Sequence, residues 1–182
     1  MRIISGIHRS RIIKMVPSEE TRETSDKVRG AIFNSLGDRV ESACVLDLFA
    51  GSGAYGLEAI SRGAKRCMFN DSKLHAINTI LENIKNLKVE VQSEVLKLDY
   101  QKAVEKIKKE NHKFDIIFLD PPYKKVDLES LINELFNVLN DDSIVIVETH
   151  KDVELVIEKL QGFNIREPKV YGIKKVYFIE KI

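Results

Sequence analysis

The sequence predicts an α/β protein built on an open, mostly parallel sheet with helices on both faces. Three observations predict it. From about residue 44 onward, short apolar runs alternate with amphipathic stretches, the pattern of repeated strand–helix units. One run, Val45-Leu46-Asp47-Leu48-Phe49-Ala50, breaks into Gly51-Ser52-Gly53-Ala54-Tyr55-Gly56 and then takes up helical periodicity. Strand, glycine turn and helix, in that order, bring backbone N–H groups to a helix N-terminus that can hold a nucleotide-like ligand. Finally, the chain around Gly172 reads as a hairpin added to the sheet edge.

The 182 residues, 43% hydrophobic and 31% charged, suit one soluble globular domain with a real core. The expected division is an appendage over residues 1–40 and a main domain over 41–182. Apolar runs such as Ile116-Ile117-Phe118-Leu119 are far shorter than a membrane span. At the N-terminus, Gly6, His8, Arg9 and Ser10 interrupt any apolar segment of the kind a signal peptide needs. Cys44 and Cys67 read as packing thiols of a cytoplasmic protein rather than a disulfide or metal site. The four histidines are scattered, and none has the spacing of a metal ligand. Net charge is only +1, yet no acidic residue precedes Glu19, whereas Arg2, Arg9, Arg11 and Lys14 do. A basic arm on a neutral domain fits a polyanionic partner, and fits equally an edge strand whose charges discourage aggregation.

Taken in order, residues 2–5 and 11–16 read as two short strands. Thr24 or Ser25 caps the next helix, Asp26 complements its dipole, Val28, Ala31, Ile32 and Leu36 form its apolar face, and Gly37 stops it. Strand 44–49 leads through the glycine turn to a helix over 54–62. Strand 66–70 leads to a helix over 72–86 with Leu74, Ile77, Ile80, Leu81 and Ile84 at helical spacing. A short strand at 88–92 precedes Leu98-Asp99 and a lysine-rich helix ending near Asn111. Strand 114–119 runs straight into Asp120-Pro121-Pro122-Tyr123. A helix over 128–139, a strand over 143–148 and a helix over 152–160 complete the alternation, and 163–171 with 174–182 form the hairpin.

In such a sheet, ligands sit beyond the carboxyl ends of the strands. Those ends are 47–53, Asn70-Asp71, Asp99 and 120–123. They suit a nucleoside with a charged tail: glycine N–H groups for the polar chain, a carboxylate at Asp47 for a cation, a polar group after the second strand for ribose hydroxyls. An NAD-dependent enzyme would satisfy several of these points. The Asp-Pro-Pro-Tyr loop argues for something else. Two prolines stiffen it and remove two backbone donors, leaving an acceptor cluster beside an aromatic ring. That suits a flat base bearing an exocyclic amine, with its ring on Tyr123 and its amino hydrogens on Asp120 and the Pro121 carbonyl. The blander reading is that Pro-Pro merely ends the strand and Tyr123 packs.

The pairing of Asp47-Leu48-Phe49-Ala50-Gly51-Ser52-Gly53 with Asp120-Pro121-Pro122-Tyr123 resembles class I S-adenosyl-L-methionine-dependent methyltransferases that act on amino groups of bases. Met1-Arg2-Ile3-Ile4-Ser5-Gly6, Thr24-Ser25-Asp26-Lys27-Val28-Arg29 and Ala31-Ile32-Phe33-Asn34 more closely resemble the RsmD-type methyltransferases. The resemblance covers essentially the whole chain. It implies a Rossmann-like class I fold, a seven-stranded sheet with an antiparallel C-terminal strand. It also implies methylation of the N2 amine of a guanine in small-subunit (16S) ribosomal RNA. The cofactor would lie along Asp47, Phe49, Ala50, Gly51, Ser52 and Gly53, with Asp47 near its amino group, Asp99 at its adenine and Thr24 close by. Asp120, Pro121 and Tyr123 would take the base, and Arg9, Arg11, Arg22 and Arg29 the RNA. A cytoplasmic monomer needing no metal or membrane is expected, with the assembled small subunit as one form of its substrate.

Two departures from the family pattern stand out. Glu23 stands where proline is frequent, and Asn70 ends the second strand where an acidic residue usually binds ribose. Asp71 follows, so both Asn70 and Asp71 are ribose candidates. The alternatives are an amino methyltransferase on DNA adenine or cytosine or on another RNA, and a non-catalytic nucleic-acid-binding module on the same fold. The DNA enzymes usually carry a recognition segment for which this chain has no room. Protein-glutamine methyltransferases usually show Asn in place of Asp120. Intact glycines and an intact Asp-Pro-Pro-Tyr weigh against a non-catalytic module.

Overall fold

The structure, a computed structural model, describes residues 1–17, 25–122 and 124–182. Its strands are β1 (Cys44–Asp47), β2 (Arg66–Asn70), β3 (Ser93–Leu96), β4 (Phe114–Leu119), β5 (Leu139–His150), β6 (Phe163–Ile165), β7 (Lys169–Tyr171) and β8 (Lys174–Lys181). The α-helices are α1 (Asp26–Leu36), α2 (Ala54–Ser61), α3 (Leu74–Leu87), α4 (Tyr100–Lys109) and α5 (Leu128–Leu135). All the strands form one sheet in the order β3-β2-β1-β4-β5-β8-β6, with β7 also on β8. β1 through β5 are parallel, and β8 runs antiparallel between β5 and an outer edge broken into β6 and β7. The sheet is therefore seven positions wide. The predicted C-terminal hairpin is present, with its second strand on the inner side.

Side chains alternate across the strands and fill two cores. On one face Val45, Phe69, Phe118, Ile146 and Phe178 pack with Ile32, Phe33, Leu57 and Ile80. On the other, Leu46, Ile117, Val145 and Ile179 pack with Val104, Ile107, Leu131 and Ile132. No helix among the described residues is long and apolar enough to cross a membrane.

Four stretches differ from the sequence expectation, each for a local physical reason. Residues 2–5 and 11–16 are not paired strands. They meet at a single antiparallel bridge, Arg2 to Ile12, flanked by Ile3 N–H to Arg11 O at 2.9 Å and Ile13 N–H to Met1 O at 3.0 Å. Other backbone donors go to helices: Ile4 and Ser5 N–H donate to the Glu58 carboxylate of α2 at 2.9 and 3.1 Å, and Lys14 N–H donates to Asn83 of α3 at 2.8 Å. The approach is so close that a Cβ on Gly6, whose φ is +86°, would lie 1.8 Å from the Ser61 carbonyl oxygen; only glycine fits there.

Residues 88–92 close α3 rather than form a strand. Lys88 adopts a left-handed conformation, its N–H donates to Lys85 O, and Val89 N–H reaches back to Ile84 O at 3.1 Å. This 6→1 closure buries Val89 and delays β3 to Ser93. The helix predicted over 128–139 ends at Leu135, passes through a 3-10 turn at Phe136–Val138 and yields to β5, which begins at Leu139. No α-helix forms over 152–160, where only a 3-10 turn at Ile157–Lys159 appears. Distant side chains take the groups a helix would need. Leu155 N–H donates to the Tyr177 hydroxyl at 3.3 Å, Val156 N–H donates to Glu129 at 2.8 Å, and Tyr177 donates to the Val153 carbonyl at 2.9 Å.

Candidate active site

Strand order reverses between β1 and β4, the neighbours from which chain connections leave in opposite directions. The carboxyl ends of parallel strands diverge there and leave a crevice. In this chain it has a volume of about 660 Å³ and is lined by residues that follow β1, β2, β3 and β4, a size suited to a nucleoside-like ligand. Phe49 through Ser52, Ala54, Asn70, Asp71, Asp99, Asp120, Pro121 and Pro122 all reach it. The sequence expectation that these segments converge is met.

The glycine turn is built from backbone bonds. Ala50 N–H donates to Asn70 O at 2.9 Å, and Gly53 N–H closes on Ala50 O at 2.7 Å. Gly51 lines the crevice with φ +55°, and a Cβ there would meet no protein atom within 4 Å. The loop thus leaves open space beside Gly51, while the N–H groups of Ala50, Gly51 and Gly53, expected to meet a ligand chain, are engaged within the protein. Gly56 serves the opposite purpose. Its Cβ would sit 2.3 Å from the Phe69 ring and 2.5 Å from Cys67 Sγ, so it lets α2 lie close on β2.

Several predicted contacts are turned toward support. Asp47 is only 2% exposed and accepts the Gly56 N–H at 3.2 Å, behind the loop rather than in the crevice wall. Burial, with the nearby Asp71 charge, raises its carboxyl to about 7 against the opposing pull of the Gly56 N–H. Gly53 likewise faces the Phe69 ring and does not line the crevice. Asn70 is buried, and its amide is spent: it donates to Leu48 O and Leu98 O at 3.2 and 3.0 Å and accepts from Leu98 N–H at 3.2 Å. It ties the end of β1 to the segment after β3. Asp71 is half-exposed in the crevice, its two oxygens accepting Gly51 N–H and Lys73 N–H, both at 2.9 Å. Asp99 caps α4 by accepting from Gln101 N–H at 2.9 Å. Beside it the rings of Phe49 and Tyr100 lie 5.4 Å apart in the crevice wall. Burial and the Asp99 carboxylate push the Tyr100 phenol above its usual range.

The assignment of Arg29 to RNA is corrected. Its side chain is 0% exposed, donating to the Arg2 carbonyl and to Asp26 at 3.0 Å and pairing with the buried Glu58 at 3.6 Å. A residue enclosed this way is a tie between α1, α2 and the N-terminal segment and reaches no polyanion. The signal was present in the sequence: 29, 32, 33 and 36 are helically spaced on one stripe, which α1 buries. Arg9 and Arg11 are exposed, Arg11 donating to Asn86 O at 2.7 Å. Arg22, Thr24 and Tyr123 lie outside the described residues. Crevice residues that went unread in the sequence include Tyr55, Lys73, His75, Tyr100, Lys125 and Lys174. Lys174 carries no sequence signal, because the register of β8 on β5 brings it there.

A Rossmann-like sheet with its glycine turn facing an Asp-Pro-Pro loop at the switch point defines a methyltransferase. The family model described as "Conserved hypothetical protein 95" matches residues 1–180. The chain is 37% identical to YlbH of Bacillus subtilis, covering 100% of this chain and 99% of that one. It is 33% identical to ribosomal RNA small subunit methyltransferase D of Haemophilus influenzae, covering 95% of this chain and 90% of the relative. Among solved structures, Escherichia coli yhhF superposes with a TM-score of 0.82 at 30% identity, covering 100% of this chain and 97% of the other. The chain belongs to the RsmD family of methyltransferases.

Proposed function

We propose that the protein transfers the methyl group of S-adenosyl-L-methionine to the N2 amine of a guanine in small-subunit (16S) ribosomal RNA. The observation that carries this reading is that Asp120-Pro121-Pro122 and the glycine loop line one crevice. A relative bearing the name ribosomal RNA small subunit methyltransferase D supports the substrate class.

The crevice fits the cofactor on its own terms. Gly51 leaves space where a side chain would stand. Ala50 to Ser52 would hold the methionine portion, and Asp47, from behind, keeps the loop in place. Asp71 would accept the ribose hydroxyls, since the Asn70 amide is already committed. Leu98 and Asp99 would flank the adenine, with Phe49 and Tyr100 as its apolar walls. When bound, the cofactor supplies an electrophilic methyl group on a sulfonium.

The chain's own residues do the rest. A guanine amine is a poor nucleophile because its lone pair is delocalised into the ring. Asp120 and the Pro121 carbonyl, accepting its two hydrogens, favour a pyramidal nitrogen and stabilise the positive charge that grows there. These contacts strengthen as the reaction proceeds, which is where they lower the barrier. Tyr123 is the stacking candidate that orients the base. The methylated amine, once cationic, loses its proton without a strong general base. The first forty residues would form an RNA-facing cover, with Arg9 and Arg11 toward phosphates, and Arg22 and Thr24 stand as candidates for RNA and cofactor respectively. The reading is of a cytoplasmic, metal-independent monomer whose substrate includes the assembled small subunit.

Asp120→Ala tests it. Methyl transfer to small-subunit RNA should fall by about a hundredfold or more, while affinity for S-adenosylhomocysteine stays within a few-fold. Turnover close to wild type would remove Asp120 from the reaction. Mapping methylated guanines in ribosomal RNA from cells lacking the protein should reveal one lost methyl group, and an unchanged map would overturn the substrate.

A further inference from the structure

Asp120 and Pro121 account for an amino group, and adenine carries one too. A second feature of the crevice distinguishes guanine from adenine. Of the three lysines that line it, Lys73 and Lys125 are exposed. Lys174 is not: its side chain is 13% exposed and its Nζ lies 2.5 Å from Glu148, which is itself 1% exposed. The other Glu148 oxygen takes the hydroxyl of Tyr55, a ring stacked on Phe118 at 4.7 Å.

The register explains why these groups meet. Phe118, Ile146 and Phe178 are partners across β4, β5 and β8 and share one core face. Two residues along β4 from Phe118 is Asp120. Two along β5 from Ile146 is Glu148, and two along β8 from its partner Val176 is Lys174. Side chains repeat every second residue, so Asp120, Glu148 and Lys174 lie on the same face of three adjacent strands, at the end where the crevice opens. The order from β4 to β8 is acceptor, buried counter-ion, donor.

We infer that Lys174, held by Glu148, which Tyr55 holds in turn, donates to the O6 carbonyl of the target guanine and makes the site select guanine over adenine. This rests on the proposed guanine-N2 reaction. A lysine neutralised by a buried carboxylate is poorly suited to anchor a phosphate, because the pair offers little net charge. It is well suited to a neutral carbonyl, because its donors are held in a fixed direction. Adenine, with its one amine placed at Asp120, would turn its C2–H toward Lys174 and leave the ammonium without an acceptor. Lys174 is thus a specificity-determining residue, and Glu148 positions it.

The test compares RNA carrying guanine at the mapped target with the same RNA carrying 2-aminopurine, which keeps the amine and lacks O6. Wild type should prefer guanine. In Lys174→Met, turnover on guanine RNA should fall about ten- to a hundredfold with little change on the 2-aminopurine RNA, so that the preference collapses. Lys174→Arg should restore part of it. Glu148→Gln should lower the same preference ratio, which a purely structural defect would not move. Thermal melting and S-adenosylhomocysteine binding confirm that each variant is folded. Equal losses on both RNAs, or no loss on guanine, would overturn the assignment of Lys174 and leave the guanine-N2 reaction standing. A wild-type protein that fails on the guanine RNA would instead overturn the reaction itself, and this assignment with it.

Discussion

Replacing Asp47 by Asn should flatten the pH dependence of stability, by an amount that follows from burial. In the folded protein the Asp47 carboxyl titrates at about 7, against 3.8 for an unperturbed aspartate. The folded chain therefore holds a proton, between those two values, that the unfolded chain has released. Stability from this group is complete below the unfolded value, falls as pH rises through the window, and is exhausted above about 7. Worked for one site, the loss between about pH 5.5 and about pH 8 is about 2 kcal/mol. Asp47→Asn keeps an oxygen for the Gly56 N–H and removes the charge. Urea unfolding of both proteins across that range, at fixed salt, gives a difference in which other titrating groups cancel. The variant should gain about 2 kcal/mol on wild type from the acid to the alkaline end. Parallel curves would show that Asp47 is not buried without a counter-charge, and would return it to the crevice as a ligand for a cation.

The remaining predictions concern the supports of the site. Gly6→Ala should cost about 2 kcal/mol or more, because a Cβ there meets the Ser61 carbonyl at 1.8 Å and the backbone is left-handed; hydrogen exchange should show residues 3–13 released first. Asn70→Ala should lower stability by about 1–3 kcal/mol through the unpaired Leu48 and Leu98 groups. Asp71→Asn keeps one acceptor for the Gly51 and Lys73 N–H groups, so it should cost about 1 kcal/mol while weakening S-adenosylhomocysteine about tenfold by titration calorimetry. Arg29→Met should destabilise by about 1–3 kcal/mol by leaving the Arg2 carbonyl and Asp26 without their donor, and should not alter the salt slope of RNA binding. Arg9→Ala with Arg11→Ala should reduce that slope by about two.

Where the sequence alone was informative, the determinant was local. β2 and β4 coincide with their predicted bounds, because short, largely apolar runs ending in turn residues leave few other structures open to the chain. The convergence of the glycine loop with Asp120 was legible for a related reason: strand ends in a parallel sheet share one side. What could not be read depended on partners far along the chain. Residues 152–160 carry helical spacing, yet Tyr177 and Glu129, over twenty residues away, take the backbone groups. The engagement of the Asn70 amide was illegible for the same reason, since its carbonyl partners lie 22 and 28 residues distant.

Asn83 shows how far the predicted site leans on residues that carry no chemical signature. On α3 it reads as one more polar residue of an amphipathic helix. In the structure its side chain is buried, accepts Lys14 N–H at 2.8 Å, and donates to Lys14 O at 2.9 Å and to Ser52 O at 3.0 Å. One amide thus grips both the basic arm and the glycine loop. Glu58 does the same at the other end of the arm, joining Ile4, Ser5, Arg29 and Arg62. Buried groups of this kind contribute little net stability for the desolvation they cost, and they are satisfied in only one arrangement. The position of the arm against α2 and α3 is therefore fixed by Glu58 and Asn83.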